Sequence, residues 1–139
     1  MPAWIGDAAR RLPRRDGDQG PTHGVMFDPD GRRLTRRPIR SGEDPSLADD
    51  LVPRARGWMT VISHVESYAA AMMRRNQAPD SVDVVVNNDV CVGPLSCDTL
   101  LPGLLRPGQR MRVWVKAPET PEGVRYYDEY EGNGKGIRS

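Results

Sequence analysis

Four side chains have the types and spacing to do chemistry together: His64, Glu66, Cys91 and Cys97. One imidazole and two thiolates suit a tetrahedral Zn²⁺ ion and leave its fourth position open, as catalysis requires. Zinc lowers the pKa of a bound water to about 7, and a nearby carboxylate can carry the released proton. Glu66 is close enough to His64 in sequence for that role. The four residues therefore predict a hydrolytic zinc site.

His64 and Glu66 lie at the start of a predicted helix. In the stretch SHVESYAAAMMRRN, apolar side chains recur at helical spacing, and Pro79 follows shortly after its end. The pattern predicts a helix from about Ser63 to Asn76.

The cysteines follow a predicted central strand. The run SVDVVVNN is nearly continuous in β-branched residues, as in strands that are buried on both faces, and it ends in Asn87 and Asn88. Cys91 comes after that end, and Cys97 precedes a short helical segment that begins at Asp98. Ligand sites in α/β sheets gather at the carboxyl ends of strands and at helix N-termini, so these residues could converge with His64 on one point.

The remaining segments predict a mixed sheet. HGVMFDPDGRRL indicates a hairpin that turns at Asp28–Gly31, QRMRVWV alternates as a strand does, and a last strand is predicted around Val124–Asp128. A short helix or turn is expected after Ser46. The fold class is therefore α/β, a three-layer domain with helices packed on a mixed sheet of about five strands.

Size and composition set the outer limits. The 139 residues suffice for one domain, and 14 glycines and 13 prolines predict a loop-rich fold. No apolar run approaches the length of about 20 residues that crosses a bilayer, and the first residues lack the apolar region of a signal peptide. We therefore expect a soluble chain with no membrane contact and no signal peptide in this segment.

Charge is unevenly distributed along the chain. The formal net charge is +1, but residues 1–40 hold nine arginines and five aspartates. An arginine cluster can attract a phosphate backbone, or it can simply be a solvated arm. We expect residues 1–21 to be a basic arm or linker remnant with little fixed structure, and residues 22–139 to form the domain.

These motifs resemble those of the zinc-dependent nucleobase deaminases, in which H-x-E is followed by a cysteine pair that opens a helix. The similarity is greater to one branch, the DddA-type DNA cytosine deaminases, which are C-terminal toxin domains of bacterial polymorphic toxins. It rests on SHVESYAAAMMRRN, VVVNNDVCVGPLSCDTLLPGLLRPGQRMRVWV and HGVMFDPDG, within Thr22 to Tyr130. The resemblance implies a cytidine-deaminase-like fold.

The resemblance also implies residue roles. His64, Cys91 and Cys97 would bind Zn²⁺, and Glu66 would be the general acid and base in the conversion of cytosine to uracil in DNA. The target base would have to be unstacked to reach the site. The pocket candidates that would contact the substrate are Asn87, Asn88, Ser63 and Val90.

The cysteine spacing departs from the pattern of the superfamily. That pattern is usually P-C-x-x-C, whereas here Val90 stands in the place of the proline and VGPLS separates Cys91 from Cys97. Gly93 and Pro94 allow this longer loop to fold back and offer both sulfurs.

Other readings stay open. His64 could be an ordinary helix cap, Glu66 an acid favoured by the helix dipole, and the cysteines buried thiols or a small-loop disulfide. The chain would then be a nucleic-acid-binding module with a structural zinc or disulfide, and His23, the other histidine, could close a structural zinc site. Within enzymes, the alternative is a deaminase of RNA or of free cytidine.

The resemblance further implies partners and a location. It implies a DNA substrate, with single strands favoured over duplex DNA, and a cognate immunity protein that blocks the pocket. The segment would be the tip of a larger secreted toxin, delivered into the cytoplasm of a recipient bacterial cell. We expect a monomer.

Overall fold

The computed structural model describes residues 2–13, 22–42, 45–56, 64–87 and 100–137. The helices are α1 (Ala3–Arg11), α2 (Pro53–Arg56) and α3 (Val65–Arg74). The strands are β1 (His23–Phe27), β2 (Ile39–Arg40), β3 (Ser81–Val86), β4 (Arg110–Lys116) and β5 (Val124–Glu131). Short 3₁₀ turns occupy Pro45–Ala48 and Leu101–Leu104.

The strands form a mixed five-stranded sheet in the order β2-β1-β3-β4-β5. Strands β3 and β4 are parallel, and the other neighbours are antiparallel. The run of valines in β3 is buried because helices cover both faces of this central strand. The predicted central strand, the alternating strand β4 and the final strand β5 are confirmed.

The predicted hairpin is confirmed, but the segment between its two strands is longer than expected. The carboxylate of Asp28 accepts hydrogen bonds from the backbone N–H groups of Asp30 and Arg32, at 2.9 and 2.8 Å, and so holds the turn. Regular pairing resumes only at β2, where Ile39 lies opposite Gly24.

Helix α3 covers one face of the sheet, which we call the α3 face. Its apolar side chains, including Val65, Ala69 and Met73, pack on alternate residues of β3 and β4 such as Val84 and Val113. The 3₁₀ turns and α2 add to the same core. The helix predicted from about Ser63 to Asn76 is thus confirmed over Val65–Arg74.

Helix α1 covers the opposite face, which we call the α1 face. Ile5, Ala9 and Leu12 pack there on a smaller cluster that includes Val25 and Trp114. We expected little fixed structure in residues 1–21, and the structure differs at α1, because the apolar stripe on this short helix becomes stable once the sheet covers it. Residues 14–21 lie outside the described residues, so the basic arm stays a prediction there.

None of the helices in the described ranges is long and apolar enough to cross a membrane. Together, α1, the sheet and α3 make the predicted three layers, and the α/β fold class is confirmed.

Candidate active site

The N-terminus of α3 lies over the carboxyl end of β3. Gly24 of β1 pairs with Val86, the last residue of β3. A Cβ atom added to Gly24 would lie 2.5 Å from a γ-methyl group of Val65 and 3.1 Å from one of Val86. Only a glycine lets the first residue of α3 approach the sheet this closely. The helix start and the strand end are therefore held side by side, and the predicted convergence of the cysteines with His64 stays a prediction.

His64 is the N-cap residue of α3. Its carbonyl oxygen accepts the first helical hydrogen bonds, from the N–H groups of Ser67 at 3.0 Å and Tyr68 at 3.2 Å. The imidazole makes no capping hydrogen bond to the helix. The side chain is half-buried. The helix-cap role therefore belongs to the backbone of His64, and ligand binding by its imidazole stays a prediction.

Glu66 lies in the first turn of α3 and is only 4% exposed. A carboxylate gains from the positive end of the helix dipole at this position, but dipole stabilisation alone does not require burial. Removing an ionised carboxylate from water is costly, so acidic side chains are rarely fully buried unless they are paired. Burial is one of the ways in which active sites tune a catalytic acid and base, so this position suits the predicted role of Glu66.

Asn87 follows β3 directly and joins three parts of the chain. Its Oδ1 accepts a hydrogen bond from the backbone N–H of His23 at 2.8 Å, and its Nδ2 donates to the carbonyl of Pro13 at 2.8 Å. Its own N–H donates to the carbonyl of His23 at 3.0 Å. A substrate contact through this amide would have to replace one of these bonds, so the predicted substrate role of Asn87 stays a prediction.

His23 lies on the other side of the sheet from α3. Side chains alternate along β1: Gly24 meets Val65 of α3, whereas Val25 packs with the α1 cluster, so His23 shares the α1 face with Val25. Its buried Nδ1 atom has no hydrogen-bond partner among the described residues. His23 is thus poorly placed to close a zinc site with His64, which weakens the structural-zinc alternative.

Cys91, Cys97, Asn88, Val90 and Ser63 lie outside the described residues. The two cysteines lie in the segment 88–99, between the end of β3 and the 3₁₀ turn Leu101–Leu104, and both of these flanks are described.

The flank that follows the cysteines is fastened to the α3 face. The carbonyls of Pro102, Gly103 and Leu105 accept hydrogen bonds from the backbone of residues 133–136, each at 2.9 Å. Leu101 and Leu104 are buried in the α3-face core. The cysteine segment therefore starts and ends at fixed points of the fold.

A cluster of three charges, Asp50, Arg74 and Arg75, anchors the opposite end of α3. Arg74 is 1% exposed, and its guanidinium donates to Asp50 at 2.8 and 3.1 Å, to the carbonyl of Leu47 at 2.7 Å and to that of Leu104 at 3.3 Å. Burial would raise the pKa of Asp50, but hydrogen bonds from Arg75 and Arg74 outweigh it and hold that pKa at about 2. The carboxylate therefore stays ionised.

This cluster was not predicted from the sequence. Consecutive arginines at the end of a helix read as a favourable interaction with the helix dipole, and that signal is the same for a buried and an exposed side chain. Asn87 was singled out only for its place after the strand, and no pattern indicates that it binds Pro13.

Within the described part of the chain, no three His, Cys, Asp or Glu side chains come together as a metal site. Zinc binding by His64, Cys91 and Cys97 stays a prediction. The donor set nevertheless fits a zinc ion, because one imidazole and two thiolates are ligands that tetrahedral zinc binds.

The comparisons with known proteins agree with the fold. A search of the curated proteins found no match. A family model, that of the SCP1.201-like deaminases, matches residues 1–130. The match includes α1, which supports treating that helix as part of the folded domain. It covers nearly the whole chain, and the chain therefore belongs to the SCP1.201-like deaminase family.

Proposed function

We propose that this deaminase acts on cytosine in DNA, with Glu66 as general acid and base. The observation that carries the proposal is the burial of Glu66 in the first turn of α3, where that helix lies over the carboxyl end of β3. A buried carboxylate at the meeting point of a helix N-terminus and a strand end is placed to handle protons in a site from which water is largely excluded.

The proposed site residues have two roles, zinc binding and proton transfer. His64, Cys91 and Cys97 would hold a zinc ion, which supplies the activation of the attacking water when it is bound. Glu66 takes a proton from that water and delivers one to N3 of the base. Glu66 then takes the second proton of that water, from the hydroxyl now on C4, and transfers it to the departing amino group.

The reaction balances without a further reactant. An oxygen from water forms a bond to C4 of cytosine, the bond from C4 to the exocyclic nitrogen breaks, and ammonia leaves. The product is uracil. No electrons are exchanged with a cofactor, so the proton transfers assigned to Glu66 are the part of the chemistry that the protein itself performs.

The choice of DNA and of the biological role rests on the sequence resemblance. We propose single-stranded DNA as the favoured substrate, since the base must leave the stack to react and a single strand removes most of that cost. On the same ground we propose a monomeric toxin domain that acts in the cytoplasm of a recipient bacterial cell and is blocked by a cognate immunity protein.

The test measures uracil formation by the wild-type chain on four substrates that share one cytosine context: single-stranded DNA, duplex DNA, RNA and free cytidine. We expect the fastest reaction on single-stranded DNA and a slower one on the duplex. Zinc content is measured on the same preparations, and His64→Ala is compared with His23→Ala as a matched histidine control.

The two histidine variants distinguish a loss of zinc binding from a general loss of folding. We expect His64→Ala to lose zinc and uracil formation together, and His23→Ala to keep its zinc. Reaction only on free cytidine or RNA would refute the DNA assignment. A zinc-loaded and folded chain that forms no uracil on any of the four substrates would refute the proposed deamination itself.

A further inference from the structure

A cleft of about 520 Å³ lies on the α1 face, between α1 and the segment that runs from β1 towards β2. The buried side chains of Leu12, Val25 and Phe27 form its apolar base. Its volume is within the range of small-ligand sites. The cleft lies across the sheet from Glu66, so it is separate from the candidate active site.

Positive charge dominates the lining of this cleft. Arg11, Arg33 and Arg36 line it and are all exposed. The lining also includes Asp7, but that carboxylate is already bound by Arg10, at 2.7 Å. Within the described ranges, no carboxylate forms an ion pair with the three lining arginines, although Arg33 donates its Nε–H to the carbonyl of Thr35 at 2.7 Å. The cleft therefore offers guanidinium groups to an anion that the protein does not itself provide.

Aromatic rings lie beside these arginines. The half-buried Trp4 and the buried Phe27 both line the cleft, with ring centroids 4.8 Å apart and planes at 46°. Trp4 is also held by the turn after β1, because its indole occupies the space that a side chain at Gly31 would need. The exposed part of an indole that is held in place can contact a flat ring at little cost in side-chain entropy.

We propose that this cleft binds a nucleotide, with its phosphate on the arginines and its base against Trp4. A phosphate accepts hydrogen bonds from the paired N–H groups of a guanidinium. The apolar floor of the cleft can pack against the planar ring of a nucleobase. An acidic peptide would satisfy the arginines but would leave the aromatic part of the cleft without a matching group. The nucleotide can belong to a strand or be free in solution.

The proposal extends the proposed function to a second site, but its test needs no deamination. Binding of a labelled thymidine-only strand is measured by fluorescence anisotropy, because such a strand contains no cytosine to react. The cleft variant Arg33→Gln/Arg36→Gln is compared with Arg32→Gln/Arg37→Gln. The control pair removes the same charge from neighbouring exposed positions that do not line the cleft.

We expect the cleft variant to lose affinity by about tenfold or more, and the control pair by less than about threefold. An abasic strand of equal length should also bind more weakly than the thymidine strand. Equal losses in both pairs would overturn the proposal, since they would show a general effect of charge. Competition by an acidic peptide as strong as that by the strand would also overturn it.

To distinguish a free nucleotide from a strand, the affinity for free thymidine monophosphate is measured and compared with the affinity for the thymidine strand. Similar affinity for both indicates a site for free nucleotides, and binding of the strand alone indicates a track for the polymer. If wild-type chain deaminates no substrate while the cleft variant still loses strand binding selectively, the proposed function fails and this inference stands.

Discussion

The two faces of the sheet each bury one member of an ion pair, but the buried member differs. On the α3 face, Arg74 is 1% exposed and its partner Asp50 is 31% exposed. On the α1 face, Asp83 is 2% exposed and its partner Arg112 is 42% exposed. The buried group is thus an arginine on one face and an aspartate on the other.

This difference decides what each pair can hold together. A guanidinium has five N–H donors, so Arg74 binds Asp50 and also the carbonyls of Leu47 and Leu104, which lie in separate irregular segments. A carboxylate only accepts, and Asp83 receives bonds from two side chains of the neighbouring strand. Arg74 therefore fixes the two 3₁₀ turns at the C-terminal end of α3, and Asp83 ties β3 to β4.

The comparison predicts its largest effect at Arg74. Replacing it by Met would leave two buried carbonyls without their donor and should lower the free energy of unfolding by about 3–5 kcal/mol. Arg75→Met is the matched control, because Arg75 binds the same Asp50 but is 29% exposed, and we expect it to lose about 1–2 kcal/mol. Urea unfolding of both variants gives the values, and equal losses would contradict the account.

Asp83 should show the next largest effect. Asp83→Asn keeps an oxygen for the indole N–H of Trp114, which lies 2.9 Å away, but removes the charge that binds Arg112. We expect a loss of about 1–3 kcal/mol. Arg110→Gln breaks a pair whose members are 58% and 69% exposed, and it should lose less than about 1 kcal/mol. A loss for Asp83→Asn no larger than this control would remove the α1-face pair from the comparison.

Gly24 tests whether the close approach of α3 to the sheet positions the site. Gly24→Ala would place a methyl group against Val65, 3.0 Å from the carbonyl of Val85, and should cost about 1–3 kcal/mol. It should also slow uracil formation, because the first turn of α3 carries Glu66. Adding Val65→Ala removes the clashing γ-methyl and should restore part of the activity. An active and fully stable Gly24→Ala chain would show that the contact is not needed.

The smallest expected effect is the contribution of Asp50 to stability at low pH. Because the pKa of Asp50 falls from 3.8 to about 2 on folding, the carboxylate contributes stability above about pH 4, and this contribution is lost as the pH falls towards 2. Asp50→Asn should therefore show a smaller drop in the free energy of unfolding between pH 4 and pH 2 than the wild type does. Equal drops, measured by urea titrations at each pH, would mean that Asp50 does not contribute.

The sequence predicted the elements that carry a strong period and missed those that depend on distant contacts. The valines of β3 and the apolar spacing of α3 are local signals, and both elements are confirmed. Helix α1 was hidden because arginines, an aspartate and a glycine surround its short apolar stripe, and only the sheet beneath makes that stripe a core.

For the candidate site, the sequence predicted the position of His64 and Glu66 but not their surroundings. The approach of α3 to β3 depends on Gly24, which lies far from both elements in the sequence. In the sequence, Gly24 is simply part of the predicted hairpin. The amide bonds of Asn87 and the carbonyls bound by Arg74 likewise involve partners that no local pattern connects. Such contacts form only when the three layers assemble.

The most direct test of the central claim is the rate of uracil formation by Glu66→Gln on single-stranded DNA. The variant protein must have the same zinc content and the same unfolding midpoint as the wild type. Glutamine keeps the size of the side chain but cannot carry the proton, so we predict a rate lower by about 10²- to 10⁴-fold. A Glu66→Gln chain that forms uracil at the wild-type rate would contradict the account.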